Sequence, residues 1–352
     1  MFSRRVVRKP VGIGVIATGS GGLSIASKLG IEDLFVYLLH SSQDQVFQAS
    51  DNARKWSNAV VEYVLGCEWN EKKGWVPLVE GAGRGAGKVV EYGRGFWNAS
   101  RDKVLDDITS AIAGYEKAFG TSINLLLFID TLGGGTGSAM WDLPIYLEDR
   151  LRRGFNAGEI ANVPMICGIY TYPGSFEALK YRRNAWDALV GVSSHNSVKS
   201  ALIVDIDRFY DRGNANEAYI FEKIATKISR MVRNFIELFG NPSAVIEGAD
   251  VYDVTRPMTP PFGIMSEFGL ERFSVEEIRK NATALPYRGR GEKAFVGIMR
   301  NIPVSLKQII VNVVENELKA SPITHIVDLN RDNGIIIYGS YRLRDVLPDP
   351  NI

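Results

Sequence analysis

Cysteine and histidine are scarce in this chain of 352 residues, which has two of the first and three of the second. Cys67 and Cys167 stand far apart, and His40, His195 and His325 have no partner at metal-ligand spacing, which excludes a zinc centre; no metal-binding residues are assigned. Two isolated thiols make no disulfide framework. Both read as packed and reduced, and the expected compartment is the cytoplasm. No apolar run reaches the ~20 residues of a membrane-spanning helix, and the start has no signal-peptide core, so no direct membrane segment is expected. Neither sign of charge is in surplus: 41 basic and 40 acidic side chains leave a formal charge of +1. Nucleic acid is therefore not an expected partner, because phosphate neutralisation needs a basic excess or patch. The one basic cluster, Arg4, Arg5, Arg8 and Lys9, reads either as a solvated tail or as a contact for a membrane or partner. At the other end no long tail follows Pro348-Asp349-Pro350.

Glycine is abundant, with 35 residues, and 45% of the chain is apolar, enough for a sizeable core and two domains. Short, uniformly apolar runs at Val11 to Ala17, Leu34 to Leu39, Leu125 to Ile129, Met165 to Tyr170 and Ala201 to Ile206 read as strands covered on both faces. Helical spacing lies between them, clearest from Val104 to Phe119 with Gly120 as its stop. Residues 52 to 65 also read as helical, and 66 to 97 as a glycine-rich stretch of little periodicity. Strands alternating with helices predict an α/β fold, a Rossmann-like parallel sheet covered by helices, over residues 1–212. A long central helix follows within 213–241, its seam carrying Phe221, Ile224, Ile228, Met231, Phe235 and Leu238. Residues 242–352 read as a smaller α+β domain, with β-rich runs at 293–299 and 334–341 around a helix.

The strongest motif is Gly133-Gly134-Gly135-Thr136-Gly137-Ser138, set between a buried strand and a helix. Such a loop wraps backbone N–H groups around a phosphate only where side chains are absent. The helix after it adds the positive end of its dipole, and Thr136 and Ser138 bring hydroxyls. The plainer alternative is a flexible turn. Gly19-Ser20-Gly21-Gly22 ends the first strand in the same way. A dinucleotide fold would place an acid at the end of the second strand, where His40, Ser41 and Ser42 stand instead. Two phosphate-type loops on one sheet favour a nucleoside di- or triphosphate spanning both. A third cluster, Gly81 to Lys88, reads either as a further phosphate-facing loop, through Gly85, Ala86, Gly87 and Lys88, or as a surface connection.

The Gly133 to Ser138 loop resembles the signature of tubulin, FtsZ and the archaeal CetZ proteins, and the other pieces follow in that superfamily's order. Pro173-Gly174-Ser175-Phe176-Glu177, with Tyr181, Asn184 and Ala185, resembles the sugar-contacting loop of CetZ proteins. The resemblance implies GTP or GDP as ligand, with Mg²⁺ held mainly through the phosphates. It implies that Glu177, beside Pro173, accepts from the ribose and that Tyr219 stacks on the base. Gly248-Ala249-Asp250-Val251-Tyr252-Asp253-Val254 resembles the family's acidic loop, with Asp250 orienting the attacking water on the next subunit's nucleotide and Asp253 as its partner. Leu23 or Ser24, and Ile206, stand where relatives carry guanine-recognising asparagines. Asp205 or Asp207 is the expected replacement acceptor. The implied partner is a second copy of the chain, stacked head to tail into a filament; tail-dependent adaptors are not expected.

Overall fold

The computed structural model describes residues 12–209, 217–240, 262–268, 275–284, 293–299, 324–329, 335–341, 343–347 and 349–351, with isolated positions between 305 and 316. β1 (Ile13–Thr18), β2 (Phe35–His40), β6 (Leu125–Thr131), β7 (Met165–Tyr172) and β8 (Ser200–Asp205) are buried almost throughout. The cause is their unbroken apolar sequence, which only a sheet covered on both sides accommodates. With the edge strand β3 (Val60–Val64) they form a six-stranded parallel array in the order β3-β2-β1-β6-β7-β8. Helices α1 (Gly19–Ala26), α2 (Gln43–Ala53), α3 (Val90–Phe119), α4 (Gly135–Ala139), α5 (Leu143–Asn156) and α6 (Leu179–Ser193) lie between these strands in the chain.

The array extends into one ten-stranded sheet. β9 (Phe262–Phe268) runs parallel to β8, pairing Ala201 with Phe262 and Leu202 with Gly263. β12 (Ile335–Tyr341) and β10 (Lys293–Met299) follow in antiparallel register, and β11 (Thr324–Leu329) closes the edge parallel to β10. Both β-rich runs expected near the C-terminus are therefore strands, and β9 and β11 join them. Two short helices, α8 (Val275–Lys280) and α9 (Leu343–Val346), also lie in this part of the chain.

Some expectations are corrected. Residues 60–64 form a strand, not the tail of a helix. Val60, Val61 and Val64 are β-branched, and pairing with β2 decides their conformation. The stretch before residue 97 holds a hairpin of β4 (Cys67–Asn70) and β5 (Gly74–Pro77), and α3 begins already at Val90. Gly93 and Gly95 hide the helix's start from a periodicity reading, although Gly120 ends it in the left-handed conformation as expected. α7 (Glu217–Gly240) buries Ile224, Ile228, Met231, Val232 and Ile236, whereas Phe221 is 41% exposed, so the buried seam starts one turn later. Cys67 and Cys167 are free and buried. Among the described residues no helix is long and apolar enough to cross a membrane.

Candidate nucleotide site

Chain order makes β1 and β6 special. From β1 the chain moves outward to β2 and β3, and from β6 it moves the other way to β7 and β8. The carboxyl ends of β1 and β6 therefore flank a topological switch point, where the helices on either side diverge and leave a crevice. The Gly19 to Gly22 segment, expected as a loop, is the first turn of α1, and Gly133 to Ser138 runs through a short turn into α4; both leave the sheet at that point. They touch: a methyl group on Gly19 would sit 3.2 Å from the Thr131 carbonyl and 3.6 Å from Gly137 Cα.

The other segments converge on the same loop. On one side stands the third glycine cluster. A methyl group on Gly135 would come within 2.8 Å of Ala86 Cβ and of the Val89 N and O. Ser41, fully buried at the end of β2, ties these pieces together. Its hydroxyl accepts the Ala86 N–H at 2.9 Å and pairs with the Thr136 hydroxyl at 2.7 Å, while its carbonyl accepts the Gly85 N–H at 2.9 Å. His40 beside it accepts the Ser42 N–H at Nδ1, and burial lowers its pKa to about 4, so the ring is neutral.

On the other side stands the expected sugar loop. Gly133 adopts φ +91°, and a methyl group there would lie 2.5 Å from Pro173 Cγ and 3.1 Å from the Tyr181 carbonyl. Asn184 donates to the Gly133 carbonyl at 3.4 Å. Lys88, at φ +63°, holds its ammonium 4.9 Å from the centre of the Tyr181 ring, so a cation stands beside the loop. Glu177 Oε1 accepts the Gly174 N–H at 3.2 Å, closing the turn that presents it.

Gly134 differs from its neighbours. It is half-buried with φ −81° and ψ 172°, and a methyl group built on it meets nothing within 4 Å. The open side of the segment is here. The hydroxyls expected to face a phosphate are engaged within the protein. Ser138 Oγ accepts the Gly133 N–H at 2.7 Å and Thr136 is bound to Ser41. Ser138 keeps its own O–H to donate, and backbone amides and Ser20, exposed at the start of α1, are further donors for an anion.

Asp205 and Asp207 have structural tasks that the sequence did not disclose. Asp205 is 2% exposed and accepts the Asp207 N–H at 3.0 Å, and burial pushes its carboxyl up to about 6. Both oxygens of Asp207 accept the Ser175 N–H, at 2.8 and 2.9 Å, and Ser175 Oγ adds a bond of 3.1 Å. Asp207 thus clamps the Pro173 to Glu177 loop. Leu23 and Ile206 are both core residues. Asp250 and Asp253 lie outside the described residues. Tyr219 falls on α7, and its side chain lies outside them too.

Two residues missed by sequence reasoning brace the site from α3. A methyl group on Gly93 would lie 2.0 Å from the Gly135 carbonyl, so α3 rests directly on the signature loop. Arg94 forms a bidentate pair with the buried Asp142, at 2.8 and 2.6 Å, and donates to the Ala139 carbonyl at 2.8 Å; Trp97 also donates to Asp142. A Gly-Arg-Gly helix start was the available signal.

No family model matches the sequence, and no curated protein matches it. Solved structures do share its architecture. CetZ from Methanosaeta thermophila aligns with a TM-score of 0.68 at 15% identity, covering 94% of this chain and 86% of that one. CetZ2 from Haloferax volcanii, solved as a GTPγS-bound protofilament, gives 0.66 at 17% identity, covering 93% and 92%. FtsZ from M. jannaschii, solved as an empty dimer, gives 0.63 at 16% identity, covering 94% and 88%. The chain has the fold of the tubulin/FtsZ superfamily.

Proposed function

We propose that this protein is a cytoskeletal nucleotide-binding protein that binds GTP and GDP, polymerises head to tail, and hydrolyses GTP in an active site shared between adjacent subunits. The observation carrying the reading is the convergence of three glycine clusters and the Pro173 to Glu177 loop around the open face of Gly134, at the switch point of a parallel sheet. The fold shared with a GTPγS-bound protofilament supports it.

In this reading the polyphosphate lies across the first and signature loops, held by backbone N–H groups, with the Lys88 ammonium alongside. Mg²⁺ would be carried mainly by the phosphates and would spread the charge that develops on them; the residues around Gly134, with Lys88 beside them, suit an anion rather than a bare cation. Glu177 faces the ribose and Tyr219 the base. Asp250 of the adjoining subunit, with Asp253, orients a water that attacks the terminal phosphorus as the bond to the bridging oxygen breaks. A heterologous contact of that kind generates an open filament. Pelleting with GTP, GDP, ATP and a non-hydrolysable GTP analogue, with phosphate release followed in parallel, tests the proposal. Nucleotide-independent behaviour in both assays contradicts it.

A second reading, a nucleotide-binding structural or regulatory filament protein with little hydrolysis, is favoured by Lys88, which occupies a place where relatives often carry acidic or amide residues. Phosphate release at or near the buffer rate alongside GTP-dependent pelleting would select it.

The Asp207 clamp changes what its removal should do. Asp207→Ala releases Ser175 and loosens the sugar loop, a loss of about 1.5 kcal/mol, the low end for hydrogen bonds to a charged group because these are exposed. Affinity for GTP and ATP should fall together, by about tenfold, leaving their ratio in competition binding unchanged. A changed ratio would show that Asp207 reads the base itself.

A further inference from the structure

Beneath the signature loop lies a carboxyl group to which the proposed function gives no task. Asp130, near the end of β6, is 3% exposed. In register it stands between Thr18 of β1 and Tyr170 of β7, so the three side chains share one face of the sheet. The carboxylate lies directly against the signature loop: a methyl group on Gly137 would sit 2.4 Å from its Oδ1. Among the described residues that oxygen has no hydrogen-bond partner, and neither have the buried Tyr170 and Thr18 hydroxyls.

Among the described residues no cation faces Asp130 from the elements packed around it. β1, α1 and α4 contain no ionisable side chain. β7 offers Cys167, Tyr170 and Tyr172, all raised by burial and neutral. Arg94, which reaches α4 from α3, is engaged by Asp142 and the Ala139 carbonyl. An ionised Asp130 is thus a buried, uncompensated negative charge close under the place assigned to a polyphosphate, and in a low dielectric the two repel strongly.

We propose that Asp130 is a positioning residue whose protonation accompanies nucleotide binding: as the neutral acid it supports the signature loop, and as the carboxylate it opposes the phosphate chain. The inference rests on the nucleotide-site reading. Burial raises the carboxyl to about 7, against a smaller opposing effect of the Thr131 N–H, so both forms are populated near neutrality. A bound anion raises it further. Binding then takes up a proton, and affinity falls as pH climbs above about 7.

The test is calorimetric titration of the full chain with GDP in chelator, from pH 6 to pH 9, in buffers of different ionisation heat, beside Asp130→Asn. Titration of the GDP phosphate is common to both proteins and cancels. Wild type should lose on the order of tenfold more affinity than the variant between pH 7 and pH 9. It should also take up a larger fraction of a proton. Asp130→Thr, neutral and smaller, repeats the comparison should the asparagine variant fail to fold. Equal pH slopes and equal proton counts would overturn the inference alone. No GDP binding by wild type at any pH would overturn the nucleotide site and this inference with it.

Discussion

Gly134→Val is expected to lower affinity for GTP and GDP by at least about a hundredfold while leaving the fold intact. The φ and ψ of Gly134 suit a β-branched residue, and a Cβ there enters open space. The folding cost is the loss of a glycine helix cap, roughly 1 kcal/mol. The binding cost is larger, because the new side chain fills the space where phosphate must meet the loop's amides, and each charge-assisted hydrogen bond lost costs about 1.5–3 kcal/mol. Neighbouring glycines should behave differently. On Gly137 a methyl group would fall 2.1 Å from the Thr131 carbonyl, and on Gly135 it would strike the Val89 backbone and Ala86 Cβ. Alanine at either position should destabilise the protein itself by roughly 1–3 kcal/mol or more. Nucleotide titration paired with thermal melting separates the cases. Unchanged affinity in Gly134→Val would remove the phosphate assignment from this loop.

The parallel array was legible because strands buried on both faces read as unbroken apolar runs, as in Leu125 to Ile129. The edge strand β3 was not, since Val60, Val61 and Glu62 are only partly buried and carry no such run. Continuation of the sheet from β8 into β9 rests on two residue pairs between distant segments, which no local pattern encodes. The candidate site divides the same way. The glycines announced their loops, because a missing side chain is visible in sequence. Their partners did not. Ser41 meets Thr136 across 95 positions of chain, and Gly93 reveals its purpose only once α3 is laid on the signature loop. The resemblance marks Asp205 and Asp207 as candidate base acceptors, but a sequence shows only that carboxylates are present, not the N–H groups they already accept. Asp130 was hidden in an apolar strand whose register alone places it under the loop.

Hydrolysis should depend on assembly, and Asp250 is the residue to remove. In the proposed filament the phosphate loops of one subunit meet the acidic loop of the next, so an isolated chain holds nucleotide without the group that orients water. Asp250→Ala should bind GTP with wild-type affinity and pellet with it, and its filaments should persist because the terminal phosphate stays in place. Turnover should fall by roughly a hundredfold or more, the scale expected when a water-positioning group is lost. Mixing Asp250→Ala with the binding-deficient Gly134→Val should restore part of the turnover, since each supplies the half that the other lacks. The most direct measurement is phosphate release per molecule across a protein concentration series spanning the pelleting threshold. The shared site predicts a specific activity near zero below the threshold that rises steeply through it and is lost in Asp250→Ala. A specific activity that stays flat across the whole series, or full activity in Asp250→Ala, would contradict it.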